Sequence, residues 1–523
     1  MVVVPSEHAS TAHDIVVEEL TGAGLQVNAS KTVVWTKDPT TPLPGPLQHL
    51  RRDRLRVLGA ASPSWMDEEE ALAQLPLHSQ ADGEEAVREA VHFTARLAEL
   101  RVAGLGAKEY FLLLQSYSQG CVTHLLRANL KEGAWTAQLD EVFIQALEAL
   151  IAKRLGPEQK EQAFMRLSGG GLGLGSAESI VSAAYLGSWA LTLKGVAECL
   201  GETSWHGFRA ACQPVAESID RAEAHLEQVG EGRLDKPDWM AFLSESKPKM
   251  QGHWSGKLRE RRRERLLARL GTDDRVDLRS AGGPGAGGFL EPPVVREGEA
   301  PATMPDQHFI VALLDRLRLP VCPPGARCQH RKEEGGLCNQ VLDPRGKHAV
   351  KCPCGPTRVA RHDGVRDFCA GYHKRVTGLV AVKEQRVVAW DRVNPRTGVV
   401  EEARLDVATR DPTSGLPIFI DATITCAHSG SQPRQQARAN KDGLAAANAA
   451  DDKRDRYPPA GGDLVPLAFE AAGRPGDETI KFVRSWGHGL DAGERSEVIR
   501  YAWQQFSVIL QTGNAEMILS ALG

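Results

Sequence analysis

The stretch of residues 384–457 holds three runs rich in Val, Ile and Thr, separated by breaks that contain Gly and Pro, and then a long Ala-rich run. This composition predicts three β-strands followed by one helix. Asp406 falls inside the second predicted strand, and Asp421 closes the apolar run of the third. We therefore expect both carboxylates at one edge of a small sheet.

Two acids on neighbouring strands predict a metal site. A carboxylate inside a strand is costly to bury unless it is paired or holds a cation, and oxygen ligands suit a hard ion such as Mg²⁺. Asp406 and Asp421 are the candidate magnesium ligands, and Glu384 on the first strand is a third candidate acid. No lysine stands two residues after Asp421, so only Lys441 or Lys453 on the helix supplies a cation. The alternative is that the aspartates are turn-forming residues at strand ends.

Composition narrows the class of protein. A chain of 523 residues predicts two to four domains, and a net charge of −4 argues against a uniformly basic nucleic-acid binder while leaving local basic patches open. No run reaches the roughly 20 apolar residues of a membrane span, and the amino terminus lacks the features of a secretion signal. We expect a soluble nuclear or cytoplasmic protein with no membrane partner.

Helical periodicity dominates residues 63–270. Near its end, a run dense in Lys and Arg contains Arg259, Arg262 and Arg263. These side chains are candidate nucleic-acid contacts; the alternative is a solvated helix with glutamates as internal partners. Residues 271–306 are rich in Gly and Pro without periodicity, which predicts a flexible linker.

Five cysteines and two histidines crowd a segment with few large apolar side chains: Cys322, Cys328, His330, Cys338, His348, Cys352 and Cys354. Such a segment cannot bury a core, and in a reducing compartment this crowding favours a metal over disulfides. We expect Zn²⁺ bound by Cys328, Cys338, His348 and Cys352, with Cys322 or Cys354 as a substitute for one ligand. The alternative is a group of unpaired buried cysteines.

The zinc segment is followed by RVARHDGVRDFCAGYHKR, which contains Arg361, His362 and Arg366, and then by the acidic strands. This succession resembles the carboxy-terminal half of non-LTR (LINE-type) retrotransposon proteins, which carry a CCHC zinc cluster and a restriction-enzyme-like PD-(D/E)xK endonuclease. The resemblance implies catalytic roles for Asp406, Asp421 and the lysine of KRDRY, Lys453. It leaves Lys441 as the alternative lysine and matches Glu384 to the family's preceding strand glutamate. Arg361, His362 and Arg366 are then expected to contact nucleic acid. Leu405 replaces the family's proline before the first aspartate, and the interval from Asp421 to Lys453 is longer.

The first sixty residues, with a helix, the segment GLQVNASKT and a strand, resemble the end of a reverse transcriptase palm domain, in which Lys31 matches a functional lysine. No Tyr-x-Asp-Asp box is present, so polymerase activity is not expected from this chain. The expected fold is α+β and multidomain. Its segments are a palm remnant (1–62), a helical thumb and connector (63–270), a linker (271–306), a zinc cluster (307–357) and an αβββαβ restriction-endonuclease-like domain (358–523).

The expected function is that of a retrotransposon-derived protein, a piece of a longer polyprotein, whose metal-dependent DNA endonuclease nicks a target site. Its implied partners are target DNA and element RNA. One alternative is a catalytically degenerate, zinc-containing nucleic-acid-binding module from a decayed element, and another is an inert product of such an element.

Overall fold

The structure is a computed structural model of the chain, and it describes residues 8–22, 42–43, 47, 56–57, 60–61, 68–128, 134–231, 234–394, 396–459 and 463–523. Within these residues the chain is α+β, with mostly helical structure and a small mixed sheet near the carboxyl end. This agrees with the predicted class. Lys31 and most of the segment predicted as a palm remnant lie outside the described residues.

Helices occupy most of the described chain before residue 320, as the spacing of its apolar side chains predicts. In chain order they are α1 (Ala9–Gly22), α2 (Glu68–Val102), α3 (Ala107–Gly120), α4 (Thr123–Ala128), α5 (Trp135–Ile151), α6 (Pro157–Ala163), α7 (Ala177–Cys199), α8 (Trp205–Ala211), α9 (Gln213–Gly230), α10 (Trp239–Ser244), α11 (Met250–Arg269), α12 (Thr272–Ser280) and α13 (Asp306–Arg316). Among the described helices, α7 alone is long and apolar enough to cross a membrane by length and composition. Half of that stretch is buried inside the protein, as in a core helix.

The chain divides into two compact units. The first unit comprises Met1–His92, Gly120–Asp140 and Ser176–Lys257, and the second comprises Phe93–Gln119, Glu141–Gly175 and Leu258–Gly523. Long-range bonds explain why early helical segments belong to the second unit. Buried Gln162, for example, donates from Nε2 to the carbonyl of Arg316 at 2.7 Å.

The carboxyl-terminal part of the second unit contains the sheet. Its elements are α14 (Lys347–Lys351), α15 (Thr357–Thr377), β3 (Val382–Arg386), β4 (Arg392–Val393), β5 (Val400–Glu401), β6 (Arg404–Arg410), β7 (Pro417–Thr425), α16 (Gln432–Asn440), α17 (Leu444–Arg456), β8 (Asp463–Glu470), α18 (Asp477–Ser485) and α19 (Ala492–Leu522); in the first unit, β1 (Arg56–Val57) pairs with β2 (Ala60–Ala61). The sheet order is β3-β6-β7-β8. Its first three strands are antiparallel, and β8 lies parallel to β7.

An aromatic core covers one face of this sheet. Side chains of β6, β7 and β8 pack there against α15, α18 and α19. Phe506 of α19 is fully buried and its ring contacts those of Phe368, Phe469 and Trp486. Alanine side chains of α17 pack on the opposite face against Ala468. The sheet is thus held between helices, which fixes where its edge carboxylates lie.

The segment 271–306 differs from the flexible linker predicted for it, because it contains α12 and packs into the second unit. Phe289 is fully buried and its backbone N–H donates to Ser507 Oγ at 3.1 Å. A Cβ on Gly285 would lie 2.7 Å from the side chain of Trp503. The glycines here permit close packing rather than chain flexibility.

The Ala-rich run after β7 forms two helices, α16 and α17, where the sequence predicts one. Lys441 is extended, and Gly443 is left-handed with φ 74°, so the helical path breaks between them. Asp442 at the break forms ion pairs with Arg263 (2.9 Å) and Arg279 (2.6 Å). The break separates the two candidate lysines onto different elements.

Truncation of the central aromatic ring should destabilise this unit. Phe506→Ala removes a fully buried side chain, so we expect a loss of about 3–5 kcal/mol of unfolding free energy. The change is measured by guanidinium unfolding of the full chain. The control Val380→Ala alters a side chain that is 71% exposed and should stay within about 0.5 kcal/mol of the parent. A loss below that of the control would contradict the placement of this core.

Candidate functional site

Asp406 and Asp421 lie side by side where β6 and β7 separate. The paired register of these strands ends at Val407 and Ile420, which directly follow Asp406 and directly precede Asp421, respectively. Both side chains are buried, and their carboxylates approach closely enough to share a hydrogen bond. The structure therefore brings together the two acids that the sequence placed at one sheet edge.

A different helix supplies a cation to each aspartate. His362 Nε2 on α15 lies 3.2 Å from Asp406 Oδ2, and the same oxygen accepts the backbone N–H of Ala422 at 2.6 Å. Lys453 Nζ on α17 lies 2.6 Å from Asp421 Oδ2. The acid pair thus lies between two positive charges that come from different sides of the sheet.

The pKa shifts differ in sign between the two acids. Burial, helped by the neighbouring Asp406, raises the pKa of Asp421 to about 6 although Lys453 opposes the shift. Burial also disfavours the charge of Asp406, but the hydrogen bonds from His362 and the Ala422 amide outweigh it and lower the pKa of Asp406. In return, the hydrogen bond to Asp406 raises the pKa of His362 to about 9. At neutral pH the site therefore holds an imidazolium beside an ionised Asp406.

Of the other candidate catalytic residues, Glu384 stands opposite Asp406 between two paired positions of β3 and β6, and Lys441 follows the end of α16. Glu384 on β3 has a left-handed backbone (φ 55°), and its exposed carboxylate pairs with Arg366 at 2.5 Å. Within the described part of the chain, no ion pair or hydrogen bond joins Lys441 to either aspartate. The geometry favours Lys453 as the lysine of the site.

The three nucleic-acid candidates of α15 occupy distinct environments. His362 contacts Asp406, and Arg366 forms ion pairs with Asp363 and Glu384. Arg361 is buried, and its Nη1 donates to Asn514 Oδ1 of α19. Burial lowers the pKa of Arg361 to about 10.

The candidate arginines of α11 lie in a second basic region. Arg263 Nη2 donates to Asp442 Oδ1 at 2.9 Å and its Nε to the carbonyl of Gly169, so this side chain holds two segments together. Arg259 lies near Arg166 and Arg262, and burial together with these like charges lowers its pKa.

Four of the predicted zinc ligands converge. The donor atoms of Cys328, Cys338, His348 and Cys352 all lie within 4.8 Å of one another. Cys328 Sγ is 3.8 Å from Cys352 Sγ, and Cys338 Sγ is 3.5 Å from His348 Nε2. Zinc bond lengths imply edges of about 3.8 Å between sulfurs and about 3.6 Å from sulfur to nitrogen in a tetrahedral site. The four residues thus fit Zn²⁺.

The remaining cysteines and the second histidine of the crowded segment lie outside the group of four candidate ligands. Cys322 is buried outside this group, and Cys354 lies close to Cys338 without joining the four. His330 Nε2 lies 3.0 Å from the carbonyl of Met517, and the Gln329 N–H donates to the carbonyl of Ala521. These contacts attach the cysteine segment to the end of α19.

A buried ion cluster that the sequence did not reveal links the zinc-ligand helix to the sheet. Asp277 of α12 lies 2.8 Å from Lys347 Nζ on α14 and 2.7 Å from His428 Nε2, just after β7. Although burial opposes it, Lys347 and then His428 hold the pKa of Asp277 far below its usual value. The partners are separated by up to 151 residues, so no local pattern could have indicated them.

Glu470 at the end of β8 is also buried, and its Oε1 accepts the backbone N–H of Ala445 at 3.1 Å and of Ala446 at 3.3 Å. It therefore caps the first turn of α17, the helix that carries Lys453.

A scan against protein-family models matches no family, and a search of curated proteins finds no similar protein.

Loss of one thiolate should abolish zinc binding. We expect about one Zn²⁺ per purified chain and a marked loss in Cys352→Ser, because a structural site needs all four ligands. Zinc is measured by elemental analysis of the dialysed protein. Cys199→Ser, which alters an exposed cysteine outside the four, is the control. Equal zinc in Cys352→Ser and the parent would refute the ligand set.

The raised pKa of Asp421 gives stability a pH dependence of defined sign. Its folded value of about 6 exceeds the usual value of about 3.9, so the folded state binds more protons and stability falls as pH rises through this window. Without added divalent metal, Asp421→Asn should therefore melt at a higher temperature than the parent at pH 7.5. The difference should shrink as the pH approaches 4.

Differential scanning calorimetry from pH 4 to pH 7.5 measures this effect. Asp455→Asn alters an exposed acid of α17, the helix that carries Lys453, and should show no such trend. A melting temperature for Asp421→Asn that is below the parent value at pH 7.5 would contradict the assignment.

Proposed function

We propose that the second unit is a metal-dependent DNA endonuclease of the restriction-enzyme-like kind, in a protein derived from a non-LTR retrotransposon. The observation that carries the proposal is the acid pair. Two buried carboxylates from neighbouring strands adjoin each other, and the amine of Lys453 lies 2.6 Å from one of them. Two buried carboxylates that adjoin each other repel when both are charged, and this is costly unless a cation is shared between them.

The order of elements supports the same proposal. Helix α15 precedes β3, β6 and β7, and the helices α16 and α17 then precede β8. This succession corresponds to the αβββαβ order expected of the nuclease family, with the aspartates on the second and third strands of the sheet. The convergent Cys328, Cys338, His348 and Cys352 directly before α15 match the family's CCHC cluster in position.

Each side chain has a defined role in the proposed reaction. Asp406 and Asp421 would hold Mg²⁺, which when bound supplies Lewis acidity to a water and to the phosphate oxygens. His362 and the Ala422 amide keep Asp406 ionised at neutral pH, so that it offers a ligand oxygen. Lys453 neutralises Asp421 without metal, and its positive charge is close to any phosphate at the pair.

The proposed partners are a DNA target and the RNA of the element. The basic side chains near the site and those of α11, including Arg259 and Arg262, would contact the phosphate backbone. Strand nicking in such elements exposes a 3′-hydroxyl for priming.

A second candidate is a catalytically inactive nucleic-acid-binding module. It is favoured by the direct Lys453–Asp421 ion pair, because the lysine already neutralises the carboxylate that a metal would need. Salt-sensitive DNA binding without cleavage would support this alternative.

Plasmid nicking with added Mg²⁺ tests the proposal. We expect conversion of supercoiled plasmid to open circles, with a loss of at least about 100-fold in rate for Asp406→Asn and Asp421→Asn, since metal binding carries the reaction. Lys453→Ala should reduce the rate as well. The matched control is Asp455→Asn, which alters an exposed acid on α17, the helix of Lys453, and should keep the parent rate. Unchanged nicking by Asp421→Asn would eliminate this site.

A further inference from the structure

An open pocket of about 270 Å³ is lined in part by Lys453, whose amine lies 2.6 Å from Asp421 of the acid pair. It is lined by the last residues of β7 and by side chains of α14, α15 and α17. Four of its lining residues are cationic: Lys351, Arg358, Arg361 and Lys453. Among the described residues that line it, Asp452 is the one carboxylate. The pocket therefore carries an excess of positive charge.

Two of these cations lack a partner for their charge. No carboxylate in the described part of the chain lies within ion-pair distance of Lys351 or Arg358, and both residues are exposed. Lys453, in contrast, is paired with Asp421. The rim of the pocket is therefore free to attract an anion.

Arg361 shows that the pocket is built and not merely a surface recess. Its side chain belongs to a residue that is only 5% exposed, and Nη1 donates to Asn514. Its Nε is buried without a hydrogen-bond partner among the described residues. A buried cationic group with an unpaired N–H is costly, and an anion bound in the pocket that this side chain lines would offset part of that cost.

The neighbouring groups identify the class of anion. Guanidinium groups match the oxygens of phosphate. Lys453 lines the pocket and also pairs with Asp421, at which a scissile phosphate would lie. Thr423 and Thr425 add hydroxyl groups from β7. We propose that this pocket binds a phosphodiester of a nucleic-acid strand, adjacent to the phosphate at Asp406 and Asp421. This inference rests on the proposed function and extends it to the substrate strand.

The pocket also gives the zinc cluster a role in substrate binding. Lys351 lies at the end of α14, between the candidate zinc ligands His348 and Cys352. The metal-ligand set therefore fixes the helix end that brings Lys351 to the rim.

The double variant Lys351→Gln with Arg358→Gln tests the pocket. The probe is a fluorescein-labelled 20-base-pair DNA duplex, with affinity measured by anisotropy at several salt concentrations without added divalent metal. We expect about tenfold weaker binding at low salt, and a plot of log affinity against log salt that is less steep by about 2, since two phosphate contacts are lost. The matched control is Arg331→Gln with Lys332→Gln. It removes two exposed charges from the cysteine segment, outside the pocket.

Equal affinity and equal salt slope in the pocket variant and the parent would overturn the inference. So would equal losses in the pocket variant and the control. Arg361→Lys keeps the charge but loses the guanidinium. We expect this variant to bind the DNA duplex at least about threefold more weakly than the parent. Its melting temperature shows whether it is folded. A folded Arg361→Lys variant that binds at parent affinity would remove Arg361 from the site.

Single-stranded DNA and an RNA duplex serve as parallel probes, and inorganic phosphate as a competitor. Displacement of DNA by millimolar phosphate alone, with no loss in the double variant, would also count against a strand site.

The two proposals fail separately. If the pocket variant loses DNA affinity but the parent never nicks plasmid with Mg²⁺, the endonuclease proposal is overturned and the phosphodiester site stands. If the parent nicks plasmid and the pocket variant nicks and binds equally well, the site is overturned and the endonuclease stands. Asp421→Asn should retain the parent salt slope while losing nicking.

Discussion

The electrostatic repulsion between two buried carboxylates sets the constraint around which the second unit is arranged. Asp406 and Asp421 adjoin each other where β6 and β7 separate, and neither is solvated well enough to be charged at no cost. The chain offsets this cost with His362 from one helix and Lys453 from another. The surroundings of the two acids differ, so that Asp406 stays ionised and the pKa of Asp421 is raised to about 6. The proposed nuclease activity depends on the binding of a divalent cation by these two carboxylates at neutral pH.

The convergent cysteines and histidine depend on the same packing. The cysteine segment is attached to the end of α19 through His330 and Gln329, while the core of α19 packs on the sheet that carries the acids. Lys347 next to His348 joins the cluster around Asp277. The candidate zinc site and the acid pair are thus connected through contacts of one compact unit. The proposed contact of Lys351 on α14 with a nucleic-acid strand depends on this connection.

Local composition predicted the parts of the site whose residues lie on regular elements. The Val-, Ile- and Thr-rich runs gave the strands that carry Asp406 and Asp421, and the cysteine spacing indicated the four residues that converge. Two expectations were wrong because their outcome depends on distant partners. Gly285 packs against Trp503, which is more than 200 residues away in sequence, so a glycine-rich segment that looked flexible is packed. The break at Gly443 separates α16 from α17, although the Ala-rich composition favours a continuous helix. The contact of His362 with Asp406 had no local sequence signal either.

The break before α17 also sets the angular position of everything that follows on that helix. Asp442 forms ion pairs with Arg263, Arg279 and Arg474, and Glu470 caps the first turn of α17. These contacts fix the start of the helix against rotation about its axis. Lys453 follows ten residues after Gly443, and successive residues are offset by about 100°. One residue inserted or deleted between the clamp and the lysine would therefore turn the amine away from Asp421 by more than a quarter of a circle. Related chains should accordingly tolerate changes of composition along this helix but preserve its length up to the lysine.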